Sequence, residues 1–125
     1  MADGSAVETL LARARAGMDR VEVADLETEI TAGALLVDIR PVEQRECDGV
    51  LPQALVIDRN VLEWRLDPSS PYRVPEAVSG DLRVVLVCNE GYASSLAAAT
   101  LREIGLVRAT DLVGGYQAWL RARKT

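Results

Sequence analysis

Cys88 is the residue of this 125-residue chain best placed to do chemistry. It follows Val84-Val85-Leu86-Val87, an apolar run rich in β-branched residues that predicts a buried parallel strand ending at the cysteine. A short polar loop with Gly91 comes next. Ser94-Ser95-Leu96-Ala97-Ala98-Ala99-Thr100-Leu101 then reads as a helix, with Ser94 or Ser95 as its expected N-cap. A thiol between a strand's carboxyl end and a helix N-terminus lies where open α/β sheets gather their sites. The helix end offers unpaired N–H groups and a partial positive charge. Such an environment favours the thiolate, the nucleophilic form, and suits an anion such as a persulfide or an oxyanion. The chain has no histidine, which removes Cys-His and Ser-His pairs and leaves little for a zinc site. Loop dipoles and nearby cations must therefore activate the cysteine. The competing reading is a cysteine that packs as a small hydrophobe. The glycine-bearing loop and the helix start favour chemistry.

The elements that position this stretch alternate between helix and strand. Ser5 can cap a first helix carrying Val7, Leu10, Leu11, Ala14 and Met18, weakened at its end by Gly17, with Arg13, Arg15 and Arg20 as a solvated face. Val21-Glu22-Val23 reads as a short strand, and residues 24–32 as a helix stopped by Gly33. Residues 34–40 form a second buried-strand signal. It ends in Asp38 and Arg40, which read as a structural ion pair or a loop-fixing cap at the same kind of strand end as Cys88. Pro41 starts a short helix to Cys47, a packing or semi-exposed thiol. Residues 54–57 read as a third strand followed by Asp58 and Arg59, with Asn60 expected to cap a helix over 61–66. Residues 67–83 are irregular and rich in proline. Gly105 stops the helix after the cysteine, residues 109–113 form a last short strand, and Gly114-Gly115 open a final helix over 116–121. This alternation predicts an α/β class with a mainly parallel sheet.

Composition bounds the function classes. Apolar residues make up 49% and charged residues 26%, a soluble globular balance. The net charge of -5 argues against a nucleic-acid footprint. The sequence holds no apolar run long enough for a transmembrane helix. Its first residues lack the basic start and apolar core of a secretory signal, so a cytoplasmic location and no membrane partner are expected. Two cysteines do not make a disulfide scaffold.

Four pieces, in order and at normal distances, resemble a single rhodanese domain over residues 21–119. Leu36-Val37-Asp38-Ile39-Arg40 resembles the family's Val-Asp-Val-Arg strand end. Gly49-Val50-Leu51-Pro52-Gln53-Ala54 resembles its Gly-His-Ile-Pro-Gly-Ala turn. Cys88-Asn89-Glu90-Gly91-Tyr92-Ala93-Ser94 resembles its active-site loop. Leu112-Val113-Gly114-Gly115-Tyr116-Gln117-Ala118-Trp119 resembles its closing Leu-x-Gly-Gly-x-x-Ala-Trp. The resemblance implies a three-layer fold with a five-stranded, mainly parallel sheet and helices on both faces. It divides the chain into an N-terminal helical extension, 1–20, and a rhodanese-like domain, 21–125. It further implies a sulfurtransferase with no cofactor beyond its own covalent persulfide. Cys88 would attack a sulfane-sulfur donor such as thiosulfate and pass the sulfur to a thiophilic acceptor, a small nucleophile or an acceptor protein. Backbone N–H groups of Asn89, Glu90, Gly91, Tyr92, Ala93 and Ser94 would cradle the sulfur, with the Ser94 and Ser95 hydroxyls as further donors. Arg45 falls where some thiosulfate-using relatives carry a substrate-binding arginine, and Arg59 and Arg65 are candidates for the same rim. An exposed arginine is the ordinary alternative for each.

Departures from the family pattern bear on the donor. Val50 replaces the usual histidine, Gln53 the usual glycine, and Ala93 the arginine of many active members. Glu90 puts a negative charge in the loop, which disfavours an anion such as thiosulfate. Two rival readings remain at the level of sequence. A phosphatase or arsenate-reductase relative of this fold would need an arginine where Ser94 stands, to grip an oxyanion in bidentate fashion. A non-catalytic rhodanese-like module would use the same cysteine to bind a partner or sense redox state.

Overall fold

The computed structural model describes residues 4–124; Met1–Asp3 and Thr125, the outer ends of the two expected segments, lie outside the described residues. Four short parallel strands carry the fold: β1 (Leu35–Asp38), β2 (Leu55–Val56), β3 (Val84–Val87) and β4 (Thr110–Asp111), in the spatial order β2-β1-β3-β4. The helices are α1 (Ala6–Arg15), α2 (Leu26–Thr31), α3 (Val42–Asp48), α4 (Leu62–Leu66), α5 (Ala93–Glu103) and α6 (Gly115–Arg123), with single 3-10 turns at Val23–Asp25 and Arg59–Val61.

The continuous apolar run of β3 is explained by what covers it. Val84 and Leu86 enter a core with Val37, Leu62, Leu66, Ala97, Ala98 and Leu101, whereas Val85 and Val87 enter a second core with Leu36, Leu51, Leu112 and Tyr116. A strand covered on both faces has no solvent side, so no polar residue alternates with the apolar ones. Each such side chain contributes about 1.5–3 kcal/mol by leaving water.

The register fixes the functional edge. Asp38 pairs with Val56 on one side and Val87 on the other, and Leu86 pairs with Asp111. The carboxyl ends of β1, β3 and β4 are thus level. From β1 the chain crosses to β2 on one side and later returns to β3 on the other, so the crevice beyond β1 and β3 is a topological switch point.

Several expectations are corrected. Among the described residues the sheet has four strands where five were expected. Val21 makes only one parallel bridge, to Leu112, because the chain turns at once into the 3-10 turn Val23–Asp25. Asp58, not Asn60, caps the turn that leads into α4, its carboxylate accepting from the Asn60 N–H at 2.7 Å. Ser94 and Ser95 are not N-caps: α5 starts at Ala93 with Tyr92 at the cap position and no side-chain cap bond, and both serines are buried within its first turn. The Ser5 cap is present, its hydroxyl accepting from the Glu8 N–H.

Candidate active site

Cys88 sits one residue past β3, 8% exposed, at the wall of a cavity of about 400 Å³. The cavity is lined from the β1 end by Ile39, Arg40 and Pro41, from α3 by Gln44, from the 3-10 turn by Arg59, and from the cysteine loop by Asn89, Glu90, Tyr92 and Ala93. This is the switch-point crevice.

The loop curls back on the sulfur. The Gly91 N–H reaches Cys88 Sγ at 3.2 Å and the Ser94 N–H at 3.3 Å. These are the two backbone donors of the expected cradle that reach the sulfur in the resting protein; Ser94 supplies its N–H from the first turn of α5. Both act with the helix's partial positive charge on whatever negative charge the sulfur bears.

The curl needs two glycines. Gly91 has φ +89°, and a Cβ there would lie 2.7 Å from the Gly114 nitrogen. A Cβ on Gly115, φ +63°, would lie 2.5 Å from the Cys88 carbonyl oxygen. The β4–α6 turn is thus pressed directly against the cysteine loop, backbone on backbone. The amides at the start of α6 use that proximity: Tyr116 N–H donates to Cys88 O at 2.8 Å and Gln117 N–H to Asn89 O at 3.0 Å.

Asp38 and Arg40 form a buried pair at the edge of the site. The Asp38 carboxylate accepts from the Arg40 backbone N–H, Nε and Nη2. Arg40 also donates to Gly49 O, and its guanidinium lies 3.8 Å from the centre of the Tyr116 ring. Tyr116 in turn donates from its hydroxyl to Asp48 O. Both members of the ion pair are at most 1% exposed in their side chains, so the arrangement fixes the loop after β1.

The candidate rim arginines separate. Arg59 lines both the cavity and the hollow that adjoins it, and pairs with Glu63 at 3.0 Å. Arg45 lines an adjoining hollow with Val42, Val56 and Asp58, its Nε at the limit of a bond to Arg40 O. Arg65 lies away from both, donating to Tyr72 O. Ser95 faces away from the cavity, toward the back of the loop. Cys47 is exposed on α3.

Behind the loop lies a network that the sequence reading passed over. Ser94 Oγ donates to Asp111 Oδ2 at 2.7 Å, and Ser95 Oγ to the same oxygen at 2.8 Å. Arg20 makes a two-point ion pair with Asp111 and also donates to Gly91 O at 3.0 Å. Arg15 donates to Ser95 Oγ at 2.9 Å and to Gly91 O at 2.7 Å. Arg15 and Arg20 are therefore not a solvated face. Asp111 carried a readable signal: a carboxylate inside a short apolar strand must find a partner there. The two arginines carried none, because a lone cation on an amphipathic helix or just past it does not announce where its guanidinium ends.

A family model described as "Rhodanese-like domain" matches residues 22–122. The chain belongs to the rhodanese-like family. Among curated relatives, a maize protein named adenylyltransferase and sulfurtransferase MOCS3-1 is 38% identical over 87 residues, 70% of this chain and 18% of the relative. The chain thus spans about a fifth of the length of the first relatives it matches. A protein of Allochromatium vinosum named sulfurtransferase is 36% identical over 92 residues, 73% of this chain and 76% of that one. Among solved structures, a Rhodopseudomonas palustris protein described as of unknown function and a possible tyrosine phosphatase superposes with a TM-score of 0.84 at 30% identity. That match covers 98% of this chain and 95% of the other. Rhodanese-like membership accounts for the fold and, through relatives named sulfurtransferases, supports sulfur transfer at the level of the family.

Proposed function

We propose that the protein is a sulfurtransferase whose Cys88 carries sulfane sulfur as a persulfide. The observation that carries this reading is a cysteine sulfur that accepts two backbone N–H bonds at a helix N-terminus, at the wall of an open cavity. In the first half-reaction the Cys88 thiolate attacks the outer sulfur of the donor. The new Sγ–S bond forms as the donor's own bond to that sulfur breaks, and the leaving group departs with the electron pair. In the second half-reaction the acceptor attacks the outer sulfur and Cys88 leaves as the thiolate. The chemistry needs no bound cofactor. The cradle stabilises negative charge on sulfur in both halves.

The wall of the cavity bears on the kind of donor and acceptor. Glu90 and Arg59 both line it, so an anionic donor meets one charge of each sign. The mouth also carries the exposed ring of Tyr92, which suits a protein acceptor as well as a small one. A cytoplasmic location is proposed with this reading; among the described residues no helix is long and apolar enough to cross a membrane.

The test is the intact mass of wild type and Cys88→Ser after incubation with thiosulfate, 3-mercaptopyruvate or a polysulfide. A one-sulfur adduct confined to wild type, and removed by cyanide as thiocyanate, is expected. An adduct that persists with cyanide and with protein acceptors would mark a binding or sensing module instead. No adduct with any donor would refute the reading. The likeness to the R. palustris protein makes hydrolysis of an aryl phosphate the control. Ser94 occupies the position of the phosphatase arginine, so none is expected.

A further inference from the structure

The hydroxyl of Ser94 has one proton and two claimants. Its oxygen lies 3.2 Å from Cys88 Sγ and 2.7 Å from Asp111 Oδ2. A carboxylate can only accept, so the proton points to Asp111 and the sulfur receives a lone pair. In that arrangement the sulfur is the donor, a thiol whose S–H is directed at Ser94 Oγ. A thiolate would leave two lone pairs facing each other unless the Ser94 hydroxyl turned from Asp111 to the sulfur.

We propose that the Arg20–Asp111 pair is a positioning device that governs how readily Cys88 ionises, by holding the Ser94 hydroxyl proton away from the sulfur. Asp111 is fully buried and touches neither the cavity nor the sulfur. Arg20 sets the strength of its grip: it neutralises the carboxylate through Nε at 2.8 Å and Nη2 at 3.2 Å. Ser95, oriented by Arg15, stays on Asp111 when Ser94 turns, so the carboxylate keeps partners in either state. On ionisation the thiol proton leaves through the cavity mouth to solvent and the Ser94 O–H swings to the thiolate.

Other charges line the cavity that the sulfur borders, and the test must separate them from Asp111. Glu90 is on its own loop, Arg40 approaches from the end of β1 and Arg59 from across the cavity. The ring of Tyr116 lies under Arg40 from α6, and Tyr92 carries Arg15 over its face. None of these competes for the Ser94 proton. Arg20 lies outside residues 22–122, so the device joins a segment beyond the matched domain to the reacting atom.

The inference rests on Cys88 being the reacting thiol. It is read by iodoacetamide alkylation as a function of pH, without any sulfur donor, so it can fail while sulfur transfer stands, and the reverse. In a Cys47→Ser background, the pH of half-maximal alkylation is measured for the parent, Asp111→Asn, Ser94→Ala and the double variant. An asparagine amide facing Ser94 donates to its oxygen and turns the hydroxyl proton to the sulfur. The half-maximal pH should then fall by about one unit, a tenfold gain in thiolate at low pH, the scale of one hydrogen bond to a charged group. In the Ser94→Ala background the same change should have almost no effect. Arg20→Gln should move the half-maximal pH upward, since an un-neutralised carboxylate holds the hydroxyl more strongly. A merely structural pair predicts that both substitutions loosen the cradle and move the profile upward. An equal shift with and without Ser94 would show a bare charge effect. Either result overturns the proposal. Should Asp111→Asn not fold, the upward shift of Arg20→Gln, larger with Ser94 than with Ser94→Ala, carries the test, and equal shifts refute it.

Discussion

Gly115→Ala probes the backbone contact that holds the cysteine loop. The new Cβ would sit 2.5 Å from Cys88 O and 2.8 Å from the Asn89 carbonyl carbon and oxygen. Ordinary contact begins at 3.4 Å, so the two segments must part by about 0.9 Å. Cys88 O accepts from Tyr116 N–H at 2.8 Å and Asn89 O from Gln117 N–H at 3.0 Å, and that separation weakens both bonds. Two such bonds at about 1 kcal/mol each, with about 1–2 kcal/mol for a left-handed backbone bearing a side chain, give about 3–4 kcal/mol of lost stability. The same shift moves the residue that carries the sulfur against the Gly91 and Ser94 N–H groups, and a misplacement near 1 Å costs about a hundredfold in rate. Gly17→Ala is the matched control. Its φ of +73° is similar, but nothing lies within 4 Å of the added carbon. It should cost only the backbone share, about 1–2 kcal/mol, and change transfer less than about threefold. Urea unfolding and the rate of sulfur transfer to cyanide are the assays. If Gly115→Ala matched Gly17→Ala in both, the steric argument for the glycine pair would be wrong.

Arg59→Ala should raise KM for an anionic donor several-fold with kcat little changed, while Arg45→Ala, one hollow away, should leave both alone; equal effects would place the donor across both hollows. Asp38→Asn leaves the Arg40 guanidinium buried against a neutral partner and should cost about 3–5 kcal/mol in urea unfolding, whereas a cost below 1 kcal/mol would mean the pair is not structural. Asp19 gives a pH signature. Partial burial pushes its carboxyl up, but the hydrogen bond and charge of Arg83, with a backbone hydrogen bond and the charge of Arg102, outweigh this and hold its pKa below the ordinary value. A lowered folded pKa contributes stability above the unfolded value near 3.9, and this is lost as pH falls through the folded one. The gap between wild type and Asp19→Asn should therefore be present at pH 7, small because the carboxyl is largely exposed, and lost in acid as the folded carboxyl takes up its proton. A gap that widened in acid would reverse the assignment.

What the sequence made legible and what it hid have different physical origins. The runs 34–40 and 84–87 were readable because burial on both faces leaves one composition, and the cysteine loop because its glycine and the following helix are local. The cap errors have separate causes: at Asn60 the preceding Asp58 takes the cap, its carboxylate accepting from the Asn60 N–H, whereas at Ser94 the hydroxyl has a better partner elsewhere in the fold. For Ser94 and Ser95 the better partner is Asp111, seventeen and sixteen residues on. Gln53 shows the converse. It stands where the family pattern has glycine, yet the turn keeps a left-handed backbone at φ +71°, the only non-glycine residue there among those described. That backbone region is one a side chain rarely adopts, so the residue type gave no sign of it.

The cysteine loop is held from both sides, and this bears on how the sulfur changes partners. On one side Gly114 and Gly115 press on Gly91 and on the Cys88 and Asn89 carbonyls. On the other, two guanidinium groups fix Gly91 O. A loop clamped this way cannot open to admit an acceptor without losing the bonds at the start of α6, those from Arg15 and Arg20, or both. On the proposed reading the acceptor must therefore come to the sulfur through the cavity of about 400 Å³, which Arg59 and Tyr92 line. Selection among acceptors then rests on what can enter that mouth, while the network behind the loop acts on the sulfur alone. Substitutions at the mouth should change which acceptor is used, and substitutions at Asp111 or Arg20 should change the rate with all acceptors alike.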